Sequence, residues 1–339
     1  MYGWLRRTHV LSALLVLVFA SSAALAQYKP TYLVSDKTGA PHTDPLLKNA
    51  WGLAYAPSAP FWVSDEASGW STLYNAQGVP QSLQVIVPPA SGSGAGSPTG
   101  IVYNGSTEFQ IDSWTSVFIF ATLDGTISGW SSFNPSAALI AVTTPGAAYT
   151  GLAITNHASG NFLFAADAAN NKVDIYDGSF NFVSSFTDST LPAGFAPFGI
   201  QDIDGKVYVT FAATSGGAGG YVDIFDENGT FVKHLIHGTP LNQPWGLAVA
   251  PSNFGPLSST LLVTNNITKG TISGFNLSTG KLVGTMMTAA DKPVSINGLW
   301  GIEFGGGSTA NGKTNQLFFT AGPNDTDGFF GAITYKAAD

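Results

Sequence analysis

Residues 244–248 read Pro-Trp-Gly-Leu-Ala, and the centre of that stretch returns along the chain. It recurs as Trp51-Gly52-Leu53-Ala54, Thr99-Gly100-Ile101-Val102, Thr150-Gly151-Leu152-Ala153, Phe198-Gly199-Ile200 and Trp300-Gly301-Ile302. An aromatic residue or Thr precedes each Gly, and an aliphatic follows it. The six glycines are spaced by 48, 51, 48, 47 and 55 residues, the length of one β-propeller blade. No seventh copy is visible.

Outward from each glycine the same order of elements repeats. A hydrophobic run with a polar end comes first, as in Phe61-Trp62-Val63-Ser64-Asp65 or Leu261 to Asn265. An alternating strand ending in an aromatic comes next, as in Val173-Asp174-Ile175-Tyr176 and Val222-Asp223-Ile224-Phe225. Alternation with period two marks a half-buried strand. Asp124-Gly125, Asp204-Gly205 and Asn228-Gly229 lie between strands, where hairpin turns need them. A fourth strand follows in five copies, for instance Val85-Ile86-Val87 or Phe231 to Leu235. The sixth copy lacks one. Thr31-Tyr32-Leu33-Val34, near the other end of the chain, is a strand without a partner and is expected to complete the last blade. The fold class is therefore all-β: a six-bladed propeller of four-stranded blades, formed by residues 27–339 as one domain. The recurring Gly fits the crowding of innermost strands around the channel axis, where a residue without Cβ permits close backbone approach.

Residues 1–26 stand apart. Arg6 and Arg7 precede an apolar stretch from Val10 to Ala20, and Ala24-Leu25-Ala26 suits a small-x-small cleavage site. A signal peptide cleaved after Ala26 is expected, which makes the mature protein secreted, periplasmic or extracellular, with no membrane span after cleavage. The chain has 13 Lys and Arg against 21 Asp and Glu, a net charge of −8. Both arginines lie before residue 27, so the mature protein has none. Nucleic acid and anionic lipid are poor partners for such a surface. There is no Cys, which excludes thiol chemistry, Cys-ligated metals and disulfides.

Pro244 to Ala248 and the strand Phe61 to Asp65 resemble NHL-type propeller repeats. With Asn49 to Tyr55, Gly298-Leu299-Trp300-Gly301 and Gly331-Ala332-Ile333-Thr334, the chain resembles a family of exported bacterial propellers whose members often carry a PEP-CTERM sorting tail. That tail is not found after Tyr335. The resemblance implies a propeller and an exported location, and no particular reaction.

Ligands of propellers gather where inner strands open onto the channel. Asn49, Asn242 and Asn297, just before the repeated Gly, are the ligand-binding candidates. Asp65, Asp167 and Asn265, with Asn266, close the second strands and are the metal candidates. Converging carboxylate and amide oxygens suit Ca²⁺ or Mg²⁺. Metal-dependent propeller hydrolases of the gluconolactonase type use a Glu/Asn/Asp set resembling this one in residue type, and such a hydrolase or lyase is the alternative reading. The matching Glu is missing, since Glu66, Glu108, Glu227 and Glu303 fall at unrelated points of the repeat. Capping of strands and fixing of turns is the plainer account of the Asp and Asn residues. His157 is the candidate general base, while His234 and His237 would point to opposite faces of an extended strand. Trp51, Trp245 and Trp300 read as blade packing. The leading expectation is a monomeric scaffold that binds a small molecule, a glycan or a protein at one face of the disc.

Overall fold

The computed structural model describes residues 27–155 and 160–337. The signal-peptide stretch and His157 lie outside the described residues. Six antiparallel sheets account for the architecture, and in each the strand carrying the repeated Gly is innermost. These inner strands are Ala50–Tyr55, Pro98–Tyr103, Tyr149–Thr155, Phe195–Ile203, Pro244–Val249 and Leu299–Phe304, in blades 1 to 6. Blade 3 shows the pattern, running outward through Phe162–Asp167, Lys172–Asp177 and Phe182–Phe186.

The sixth blade is closed by the first strand of the chain. Gln27–Ser35 pairs antiparallel with Phe329–Lys336, from Gln27 opposite Lys336 to Ser35 opposite Phe329. The closing strand is longer than the Thr31–Val34 core read from the sequence, and His42–Thr43 adds a short parallel edge beside it. Six apolar clusters fill the wedges, one between each pair of neighbouring blades. Val34, Phe61 and Phe330 pack between blades 6 and 1, for example, and Phe164, Val209 and Phe225 between blades 3 and 4.

The repeated glycines close the ring in sequence order. A Cβ on Gly52 would stand 2.6 Å from the carbonyl oxygen of Thr99 in blade 2, and one on Gly151 3.0 Å from that of Phe198 in blade 4. Gly100 and Gly199 would press still more closely on Leu152 and Trp245. A Cβ on Gly246 meets the Trp300 oxygen at 2.6 Å, and one on Gly301 meets that of Trp51 at 2.7 Å. The last step returns to blade 1. None of these six glycines has a positive φ, so the need for Gly here is one of space.

At the same point each inner strand leaves register with its neighbour, as between Pro244 and Leu247 or Leu299 and Ile302. A bulge of this kind strands backbone groups that must find other partners. Side-chain hydroxyls supply them. In blade 5, Thr264 Oγ1 accepts from Gly246 N at 2.8 Å and donates to Trp300 O of blade 6 at 2.8 Å. Thr320 likewise accepts from Gly301 N at 2.9 Å and reaches Trp51 O of blade 1. Thr210 takes the Gly199 N–H at 2.8 Å. In blades 2 and 3 the inner strand itself carries the hydroxyl: Thr99 donates to Tyr149 O at 2.6 Å and Thr150 to Pro197 O at 3.4 Å. The second strand then has Ala121 or Ala166 where blades 4 to 6 have Thr. Blade 1 has Ser64 there, one methyl short, and its buried hydroxyl finds no partner.

Candidate functional site: the channel mouth

The two ends of the channel differ. At the end where inner strands begin, Trp51, Trp245 and Trp300 meet on the axis with Phe198 and Leu123 against them. Trp51 and Trp300 stack at 3.6 Å between ring centres, and Trp245 stands edge-on to both. These residues were expected to pack blades, but they cap the channel. Trp300 Nε1 donates to Asn49 Oδ1 at 3.0 Å and Trp245 Nε1 to Thr150 O at 2.9 Å.

All six Asn and Asp candidates stand at this capped end, as strand order required; the side chains of Asn49, Asp65, Asp167 and Asn265 are tied locally, while the buried Asn242 Oδ1 accepts no hydrogen bond. Asn49 also donates to Glu66 at 2.8 Å, so its amide orients Trp300 and the following turn. Asp65 accepts from Thr72 N and Oγ1 at 3.1 and 2.7 Å, inside the blade 1 hairpin. Burial pushes its carboxyl well above the usual range, and the Thr72 hydrogen bonds oppose that. Asp167 holds its own turn, accepting from Ala148 N at 3.0 Å and from Asn170 Nδ2 at 2.7 Å. Asn265 Oδ1 takes Asn242 N at 2.8 Å, and its amide donates to Pro240 O at 2.8 Å. Thus Asn242 and Asn265 are brought together, to fix the entry into blade 5. Asn266 donates to Leu299 O at 3.2 Å, and Asn297 is half-buried before the turn into blade 6. Asp65, Asp167 and Asn265 stand in blades 1, 3 and 5, each facing its own turn. As placed, they do not build the cage of six or more oxygens that Ca²⁺ requires.

The other end is open. Leu53, Ile101, Leu152, Ile200, Leu247 and Ile302 follow the glycines and narrow the channel to a waist of about 40 Å³. Beyond it the channel widens into two adjoining recesses of about 330 and 280 Å³. Tyr55, Gln201, Asp202 and Glu303 line both, with Tyr103 and Asp204 at the flanks. Position two after the glycine reads Ala54, Val102, Ala153, Gln201, Ala248 and Glu303 around the ring. Four of these are small and apolar. Gln201 and Glu303 break the pattern, and both face the mouth.

Glu303 is half-buried on the inner strand of blade 6. Removal from water disfavours the charged form, and its carboxyl is pushed up to about 8. At neutral pH it is mostly protonated and can donate as well as accept. Tyr55 beside it is pushed up to about 12, by burial first and by the Glu303 charge second. In the sequence Glu303 is set aside with the other glutamates, because a partner is sought there for the Asp and Asn residues of the opposite end. Comparing the six repeats position by position singles it out.

A further recess of about 480 Å³ lies between blades 2 and 3, with Glu108, Asn161 and Asp177 on its wall. Asn161 satisfies the Glu108 carboxylate through its backbone N–H at 2.9 Å and its amide at 2.7 Å.

No protein-family model matches the chain. An uncharacterized protein of Acanthamoeba polyphaga mimivirus is 29% identical over 341 residues, covering 93% of this chain and 82% of its own length. That relative is viral and lends no support to kinship with exported bacterial propellers. Among solved structures, the PQQ-bound aldose sugar dehydrogenase of Streptomyces coelicolor aligns with TM-score 0.56 at 13% identity, over 93% of this chain and all (100%) of its own. A gluconolactonase of Xanthomonas campestris aligns with TM-score 0.55 at 13% identity, over 86% of this chain and 88% of its own. At such identities the likeness is one of fold. The chain is a six-bladed β-propeller, capped by tryptophans at one end of its channel and open at the other.

Proposed function

We propose that this protein is an exported binding propeller that takes a small, neutral, hydroxyl-rich molecule in the open mouth of its channel. The observation that carries this reading is the pair Gln201 and Glu303, the two polar residues in a ring position otherwise filled by Ala and Val. A carboxylic acid held neutral, an amide and two flanking tyrosines offer several donors and acceptors on an aromatic-rimmed floor. Such a surface suits hydroxyl groups. The waist stops a ligand from passing through, which favours binding over transit. Export rests on the leader-like residues 1–26, and N-terminal sequencing of the secreted protein should begin at Gln27.

The binding test is calorimetry of the purified chain against monosaccharides and sugar lactones, repeated with Glu303→Leu and Gln201→Leu. Saturable binding that weakens at least tenfold in both variants supports the mouth. Binding that survives both substitutions places the ligand elsewhere. Turnover of a lactone, lost in Glu303→Leu, would convert the binding reading into an enzymatic one.

A further inference from the structure

Among the described residues, one group of three His and Asp side chains brings its ligating atoms within 4.8 Å of one another: Asp188, Asp223 and His234. It lies far out in the disc, away from the channel. Asp188 follows the outermost strand of blade 3, Phe182–Phe186. Asp223 sits on the third strand of blade 4, directly opposite His234 on the fourth. A register shift between Val222 and Asp223 brings the two into opposition.

The hydrogen bonds around the group decide what belongs in it. Thr190 N and Oγ1 both donate to Asp188 Oδ1, at 2.8 and 2.6 Å. The Thr190 hydroxyl proton is thereby used, so the contact of 2.9 Å with His234 Nε2 requires the imidazole to donate. A neutral imidazole with its proton on Nε2 has a bare lone pair on Nδ1. That Nδ1 lies 2.8 Å from Asp223 Oδ1 and 3.4 Å from Asp188 Oδ2. Three lone-pair atoms therefore face one point. Asp223 is fully buried, and the second oxygens of Asp223 and Asp188, both enclosed, accept no hydrogen bond. The nearby lysines are engaged elsewhere, Lys172 with Asp174 at 2.7 Å and Lys233 with Ser278 O at 2.7 Å. The charge needed at this point is positive, supplied either by a second proton on His234, hydrogen-bonded to Asp223 at 2.8 Å, or by a bound cation.

We propose that Asp188, Asp223 and His234 form a binding site for a divalent transition cation, with Zn²⁺ the best-suited ion, pinning the exit of blade 3 to the outer strands of blade 4. Zn–N and Zn–O distances of about 2.0–2.2 Å in a tetrahedral site put neighbouring ligand atoms roughly 3.4 Å apart. The 3.4 Å separation matches, and the 2.8 Å pair has to open by about 0.6 Å. One imidazole with two carboxylates favours zinc over Ca²⁺ or Mg²⁺, which take oxygen donors in larger number. The Nε2–H to Thr190 to Asp188 relay is the outer support that metal-bound histidines commonly have. The His234 side chain is 35% exposed, which leaves a path from solvent and room for water as the fourth ligand.

Isothermal titration of the metal-free chain with Zn²⁺ at pH 7.5 tests the site. The expected result is one saturable ion per chain and a zinc-dependent rise in melting temperature, with no comparable response to Mg²⁺. His234→Gln and Asp223→Asn should each weaken zinc binding at least tenfold, and Thr190→Val by a smaller factor. Circular dichroism shows whether each variant is folded. Absence of saturable zinc uptake by the wild-type chain overturns the proposal and leaves an imidazolium shared between two carboxylates. Uptake unchanged in His234→Gln overturns it as well, by assigning the ion to other histidines.

Discussion

Replacing Gly246 by Ala tests whether spacing at the axis, rather than backbone freedom, holds the ring. The added Cβ would stand 2.6 Å from the Trp300 carbonyl oxygen. Ordinary contact begins at 3.4 Å, so the inner strand of blade 6 must withdraw by roughly 0.8 Å. Overpacking of this kind costs about 1–3 kcal/mol, occasionally more. The lost chain entropy of Gly returns about 0.4–1 kcal/mol through the unfolded state. A net loss of about 1–2 kcal/mol follows for Gly246→Ala. Gly151→Ala is the control, since its Cβ would stand 3.0 Å from Phe198 O and needs about half the displacement. Its net change should lie within about 0.5 kcal/mol of zero. Gly199→Ala, the tightest of the three, should cost the most. Urea denaturation followed by circular dichroism measures all three variants. If Gly246→Ala and Gly151→Ala differ by less than about 0.5 kcal/mol, close approach across the axis does not explain the repeated glycine.

Thr264→Val removes the acceptor for Gly246 N and the donor for Trp300 O, and should cost about 2–4 kcal/mol in the same assay, because both groups stay buried. Ser64→Thr in blade 1 restores the hydroxyl geometry of blades 4 to 6. It should stabilise by about 0.5–1 kcal/mol, and a loss of stability would show that blade 1 has no room for the methyl group. Glu303 has a folded pKa of about 8 against an ordinary 4.5, so its contribution is fully present below pH 4.5 and is lost as pH rises through 8. Glu303→Gln should therefore match wild type near pH 4.5 and exceed it progressively toward pH 9. The ceiling of the gain is roughly 5 kcal/mol, reduced by water entering the mouth. Equal stability curves across that range would remove the desolvated carboxyl from the account.

The ring was legible because its causes are periodic. Glycine spacing, strand alternation and an unpaired terminal strand each follow from local residue type. The candidate site was less so. Asp65, Asp167 and Asn265 recur at the ends of second strands, and recurrence itself marks them as turn chemistry shared by blades. The mouth is announced by the opposite signal, a departure from the repeat at Gln201 and Glu303. The exchange of Trp or Phe with Thr or Ser for Thr with Ala, as in Trp245–Thr264 against Thr150–Ala166, is visible in the residues alone. Its meaning is not, since the bonds it maintains run to the next blade. Asp188 and His234 lie 46 positions apart and meet only because a bulge shifts the register of blade 4. Simple strand alternation, applied to His234 and His237, has no access to that shift.

Gln27 and Lys336 face each other on neighbouring strands of one sheet. A short linker could join them, and the chain could then be cut at an exposed loop, such as Ser91–Ala95, without breaking a single sheet. The folded disc of residues 27–336 is thus indifferent to where its order of strands is opened, though its assembly is not. In the natural order the last sheet stays incomplete until residues about 300 positions apart find each other, a long-range search of the kind that slows folding. A rearranged chain with both partners adjacent would make that pairing local, and should reach the same disc faster.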